Sequence, residues 1–178
     1  MKHMQRRFLI FGASAAGKTS LCEEVTRREP KLDYISASSV LHRLREDHPS
    51  TYSVDQAEMQ IHLCVAIARV CDNRLEADFL IDGHLYMSKS SAAVPKAALQ
   101  LLRPTMLLRV HASPALISKR RLALGRPRSS FQECVEDIKN EEHAGEALSK
   151  ALQVPLETIS PPLASSVEDI LHRQPPQI

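Results

Sequence analysis

Two hydrophobic patterns alternate along the chain: short apolar-rich runs, and longer stretches in which apolar residues recur every three or four positions. The runs lie at Arg7 to Phe11, Asp33 to Ala37, Phe79 to Asp82, Thr105 to Val110 and Leu156 to Ser160. Runs this short suit strands buried on both faces. The stretches between them carry helix signals. Ser53 with Gln56 reads as a capping box that opens a helix bearing Met59, Leu63, Ile67 and Val70 on one face. Pro95, and Pro114 after Ser113, suit first helical positions. Ser130 with Glu133 opens a long helix whose Phe131, Val135, Ile138 and Leu148 fall near one stripe, and Ser165 with Glu168 opens the last helix. Five strands alternating with helices predict an α/β fold, a three-layer α/β/α sandwich around a five-stranded parallel sheet with right-handed crossovers.

A length of 178 residues fits one domain, 1–178, with a substantial core. Charged residues at 25% and hydrophobic ones at 43% are ordinary globular proportions, and no repeat or low-complexity linker divides the chain. The Pro175-Pro176 tail reads as a frayed end. Lys and Arg total 23 against 21 Asp and Glu, so the formal charge of +2 supplies no general field for nucleic acid or membrane. Any anion site must be local. Aromatics make up 4% and Trp is absent, a poor supply for a base-stacking platform, so nucleic acid is not an expected partner. The longest apolar stretch near the N-terminus, Phe8 to Phe11, is far short of the roughly 20 residues of a membrane span; the expectation is a cytoplasmic protein without a membrane partner. Cys22, Cys64, Cys71 and Cys134 show no metal-ligand spacing and read as buried free thiols, with Cys64 and Cys71 on one helix face.

The chemistry begins directly after the first strand. Gly12-Ala13-Ser14-Ala15-Ala16-Gly17-Lys18-Thr19 matches G-x-x-x-x-G-K-[ST], the Walker A phosphate loop. Its glycines let successive backbone N–H groups curl inward, and the helix that starts near Gly17 aims its positive end at phosphate. Lys18, expected to stand exposed in the loop, supplies an ammonium to the β- and γ-phosphates, and the Thr19 hydroxyl is a candidate Mg²⁺ ligand. Gly12 to Thr19 and the adjoining Ser20 are thus the expected ATP contacts. The plainer alternative is a glycine turn that happens to carry Lys-Thr; the strand before it and the helix after it favour the phosphate loop. Asp82, ending the apolar run Phe79-Leu80-Ile81, is the expected acidic companion for the metal, or else an ordinary strand terminator.

The guanine-recognition motif N-K-x-D is absent, and the chain has no room for the extra helical domain of large oligomeric ATPases. With Asp82-Gly83-His84 after the third strand and arginines after the fourth, it resembles the small P-loop kinases of the nucleoside monophosphate kinase class. Within that class it is most similar to the archaeal-type adenylate kinases. The shared features are an acidic residue, a small residue and His at the third strand; a turn like Ala112-Ser113-Pro114 leading to Arg120-Arg121-Leu122; the pair Arg126-Pro127-Arg128; and the long helix Phe131 to Leu152. The resemblance implies a P-loop NTPase fold, ATP with Mg²⁺, an acceptor-binding region at about 38–75 and a short lid at about 120–130.

Arginines beside a phosphate loop make physical sense, because guanidinium forks neutralise the charge spread over a phosphoryl group in flight. Lys18, Arg121, Arg126 and Arg128 are therefore the candidate catalytic residues. The alternative for the cluster is a solvated basic face at a helix C-terminus. Adjacent helical positions differ by about 100°, so Arg120 and Arg121 cannot face the site equally; Arg121, nearer the turn at Gly125, is expected inward. On the acceptor side the resemblance calls for an aspartate and an arginine, where this chain has Ser39 and His42; Arg43 and Arg45 are nearby substitutes. Ser39, Arg43, Gly83 and His84 are the candidate acceptor contacts, with His84 either orienting an acceptor or lying on the surface. The expected activity is ATP-dependent phosphoryl transfer to a small acceptor, foremost a nucleoside monophosphate. The alternatives are a nucleotide switch or weak ATPase acting through a protein or RNA, and a kinase of a non-nucleotide metabolite.

Overall fold

The computed structural model describes residues 4–47, 55–87, 92–125, 130–160 and 164–173. Its strands in chain order are β1 (Arg7–Phe11), β2 (Leu32–Ser36), β3 (Asp78–Asp82), β4 (Tyr86–Met87), β5 (Ala92–Ala93), β6 (Met106–Val110) and β7 (Leu156–Ile159). Five of them form one parallel sheet in the order β2-β3-β1-β6-β7, and β4 and β5 make a short antiparallel ladder beside it. Both faces of the central strand are covered: Phe8 and Ile10 enter one core cluster, Leu9 and Phe11 the other. That is why the strands read as apolar runs without alternation.

The helices are α1 (Lys18–Arg28), α2 (Ala37–Asp47), α3 (Gln56–Asp72), α4 (Lys96–Leu101), α5 (Pro114–Ala123), α6 (Phe131–Leu152) and α7 (Ala164–His172). Leu21 and Val25 of α1, Ile117 of α5 and Val167 of α7 pack on the first face of the sheet. Leu63 and Ile67 of α3 and Leu99 of α4 pack on the second, with Leu41 of α2 against them. The result is the expected three-layer α/β/α sandwich. Helix α6 serves both clusters, Cys134 in the first and Leu148 in the second. Between these, Gly145 lies on the Phe11 ring so closely that a Cβ would stand 2.2 Å from it.

The expected strand boundaries are kept or move by one residue, at both ends in β2, since fraying ends are set by neighbours and not by the run itself. Five helix details differ. The N-cap of α3 is Asp55, whose carboxylate accepts from the Ala57 N–H at 3.1 Å; Ser53, the expected cap, lies outside the described residues. Along α3 the buried face runs through Met59, Leu63, Cys64, Ile67 and Cys71, whereas Val70 is exposed. Phe131 is also exposed despite its place near the α6 stripe, because it occupies the first turn, beyond the edge of the core. Helix α7 begins at Ala164, one residue before the expected cap Ser165. Two other signals are as read: Ser130 and Glu133 cap α6 reciprocally, and Ser113 caps α5 ahead of Pro114. Pro95 is the N-cap of α4 and not its first residue.

Register brings the strand ends together. Asp82 of β3 lies opposite Ile10 of β1 and Ser36 of β2, so the C-terminal ends of three strands open beside the Gly12 turn. In open parallel sheets that edge is where ligands bind.

Candidate active site

Residues 12–17 bridge the end of β1 and the start of α1. Gly12 has φ +146°, and a Cβ there would meet the Val110 carbonyl oxygen at 2.4 Å, so only glycine lets the loop leave β1 against the end of β6. The Ala16 N–H donates to the Ala13 carbonyl at 3.0 Å, tightening the curl, while Ala15 is held at φ +71°. No side chain caps the start of α1 at Gly17, which leaves its first-turn N–H groups directed at the loop as an anion cradle. Lys18 is only 6% exposed, against the expectation of an exposed lysine. Its Nζ donates to the carbonyl oxygens of Gly12 at 2.7 Å and Ala13 at 3.3 Å. The ammonium is thus already aimed into the loop, where a phosphate oxygen can exchange for a carbonyl.

The Thr19 hydroxyl donates to Asp82 Oδ2 at 2.8 Å, joining the end of the loop to the end of β3. The Tyr34 hydroxyl of β2 donates to the same oxygen at 3.2 Å. Burial, and then the charge of Asp82, pushes the Tyr34 phenol up, so it stays a protonated donor. Asp82 is itself 7% exposed. A carboxylate and a hydroxyl are hard oxygen donors, and Mg²⁺ takes few protein ligands, completing its octahedron with phosphates and water. Among the described residues no cluster of three acidic, His or Cys side chains converges to hold a metal alone. The Thr19–Asp82 pair therefore fits a nucleotide-borne Mg²⁺.

The arginines divide differently from expectation. Arg120 lines the cavity, and its Nη1 donates to the Ala16 carbonyl at 2.7 Å, lying over Gly17. Arg121 is 6% exposed; its Nη2 binds Asp137 of α6 at 2.6 Å and its Nε reaches the Ser14 carbonyl at 3.3 Å. Ile117, one turn earlier, is fully buried, so the residue four positions on faces the same core and the one before it swings out to the cavity. Arg120, not Arg121, faces the cavity. Arg126 and Arg128 lie outside the described residues.

A cavity of about 830 Å³ runs from Lys18, Thr19 and Arg120 past Asp82, Gly83 and His84 to α2 and α3. The small residues after β2 do reach it, but through Ser38; Ser39 and Arg43 are exposed and are not in its wall. His84 is in the wall, and its Nδ1 pairs with Glu141 of α6 at 2.7 Å. The other Glu141 oxygen accepts from the Leu85 N–H at 3.0 Å. Glu141, 4% exposed, went unread in the sequence, although it stands three residues after Ile138 and seven before Leu148, on the stripe that should hold only apolar residues. Gln60 of α3, also in the wall, carried no such signal.

A family model described as AAA domain matches residues 11–139, from the end of β1 into α6. The chain belongs to the AAA domain family. The matched span contains the phosphate loop, Asp82 and both arginines of α5. No curated protein matches this AAA domain chain in sequence. Among solved structures, an unliganded sugar kinase from a Janibacter species is similar with a TM-score of 0.58 and 15% identity, over 94% of each chain. Shikimate kinase from Acinetobacter baumannii in complex with shikimate is similar with a TM-score of 0.55 and 13% identity, over 94% of this chain and 91% of that one. At these identities the likeness is one of fold: the AAA domain protein has the parallel α/β fold of P-loop kinases. No helix among the described residues is long and apolar enough to cross a membrane.

Proposed function

We propose that the protein is a small-molecule kinase that transfers the γ-phosphoryl group of ATP to an acceptor held in the cavity beyond Asp82. The observation that carries this reading is the Thr19–Asp82 contact at 2.8 Å in the wall of a cavity that continues past the phosphate loop. A nucleotide-hydrolysing switch needs the loop and the metal pair; the extra space beside them is what an acceptor requires. Mg²⁺, held by Thr19 and Asp82, would neutralise charge on the β- and γ-phosphates. Lys18 and the loop N–H groups bind the same phosphates, and Arg120 stands where its fork can follow the transferred group. Positioning and charge stabilisation suffice for such a transfer, without a covalent enzyme intermediate.

A nucleoside monophosphate acceptor is supported by the resemblance of the sequence to adenylate kinases. The residues expected to hold it do not add support, since Ser39 and Arg43 stand outside the cavity wall. Separation of products after incubation of the protein with ATP and a panel of acceptors tests the proposal. A phosphorylated acceptor supports it; slow release of inorganic phosphate alone points to a switch or weak ATPase instead.

A further inference from the structure

The cavity changes character with distance from the phosphate loop. Its far end is walled by Leu63 and Ile67 of α3, Val94, Leu99 and Leu102 around α4, and Met87 of β4. All but Met87 are at most 6% exposed, so this end of the cavity is a narrow apolar slot where it meets the core. Polar side chains stand at the entrance, where Ser38, Gln60, Asp82 and His84 share the same wall. Among the described residues, the cations of the wall are Lys18 and Arg120, both on the phosphate-loop side.

We propose that the phosphoryl acceptor is an uncharged alcohol with an apolar body, which fills the aliphatic slot and presents its hydroxyl at the entrance beside Asp82 and His84. The proposal rests on the kinase reading above and narrows its acceptor. Apolar surface leaving water for the slot supplies the affinity. A phosphate or carboxylate placed among the same side chains would shed its hydration and gain no partner there. In the transfer, the hydroxyl oxygen bonds to the γ-phosphorus, the bond from that phosphorus to the β,γ-bridging oxygen breaks, and ADP leaves with the electron pair. The hydroxyl proton is released to water.

The test incubates the full chain with radiolabelled ATP, Mg²⁺ and three sets of acceptors: 1-phenyl-1,3-propanediol and 2-phenylethanol; AMP and shikimate; glucose and glycerol. Label on the phenyl alcohols, with the other sets at background, is the expected result. Label on AMP or shikimate, or on glucose or glycerol alone, overturns the proposal and leaves the kinase reading in place. Label on no acceptor, while ATP still binds, overturns both. Cys64→Phe, which fills the slot, should raise the KM for the phenyl diol about tenfold with the KM for ATP unchanged. Met87→Arg, at the half-buried end of the slot, makes the same comparison if the first variant does not fold. An unchanged acceptor KM in a folded variant counts against the slot.

Discussion

Glu141, buried in α6, grips the segment after β3 at two points, His84 Nδ1 at 2.7 Å and the Leu85 N–H at 3.0 Å. The two contacts fix how the Asp82-Gly83-His84 segment leaves the sheet, and so how the His84 ring meets the cavity. Glu141 acts through these neighbours and is a positioning residue. Glu141→Ala would leave the Leu85 N–H without its acceptor in a buried place, at a cost of about 1–3 kcal/mol. Glu141→Gln keeps an acceptor for the Leu85 N–H but turns an N–H towards His84 Nδ1, which must then accept, so the opposite His84 tautomer is selected and turnover should fall while the KM for ATP holds. Urea unfolding and steady-state kinetics read the two effects. An alanine variant as stable as the parent would remove the claim.

The arginine pair gives a second contrast. Arg120→Lys keeps charge but loses the planar fork in the cavity, and its turnover should drop about tenfold or more with little change in stability. Arg121→Lys should do the reverse, loosening the tie from Asp137 of α6 to the Ser14 carbonyl and costing about 1–3 kcal/mol. Thermal unfolding and initial rates on both variants decide between them. A reversed result would put Arg121 in the role assigned to Arg120.

Burial pushes the Cys64 thiol from 9.0 up to about 12, so the fold holds it neutral over a range where an unfolded chain would ionise it. A pKa raised on folding adds stability below the unfolded value and loses it as pH rises towards the folded one. Stability should therefore fall as pH climbs above 9, and the slope should be shallower in Cys64→Ala. Denaturation midpoints at intervals between pH 8 and pH 11 measure it; equal slopes in parent and variant would refute the assignment.

Gly145→Ala drives a methyl group into the Phe11 ring, which is fully buried at the end of β1 and has no open space to turn into. A loss of about 1–3 kcal/mol is expected from this overpacking. Because Phe11 immediately precedes Gly12, the phosphate loop should shift with it, and ATP affinity should weaken as well. Calorimetric titration with ATP beside urea unfolding reads both; full stability would mean that α6 stands off the sheet.

The inner strands β1 and β3 were the most legible because every residue of both is buried, which favours apolar runs such as Phe8 to Phe11. The phosphate loop was legible because its chemistry demands fixed residue types at fixed spacing. What failed depended on choices between neighbours. Ser53 and Asp55 are both good caps, and only the tertiary path of the chain selects between them. Ser38 and Ser39 differ by one helical step, as do Arg120 and Arg121, and the face each presents is set by which of their neighbours packs on the sheet. Counting four residues on from Ile117 would have sent Arg121 inward to the core and Arg120 to the cavity. Glu141 was visible by the same arithmetic, as a charge on an apolar stripe that had to find buried donors.

The central claim is that Lys18 and its loop deliver the γ-phosphoryl group of ATP to an acceptor. Its most direct test is transfer of radiolabelled γ-phosphate from ATP to acceptor by the parent and by Lys18→Ala at saturating Mg²⁺. Labelled acceptor is expected with the parent, and a rate reduced at least about a hundredfold in a folded Lys18→Ala protein. Equal transfer by the two proteins would contradict it.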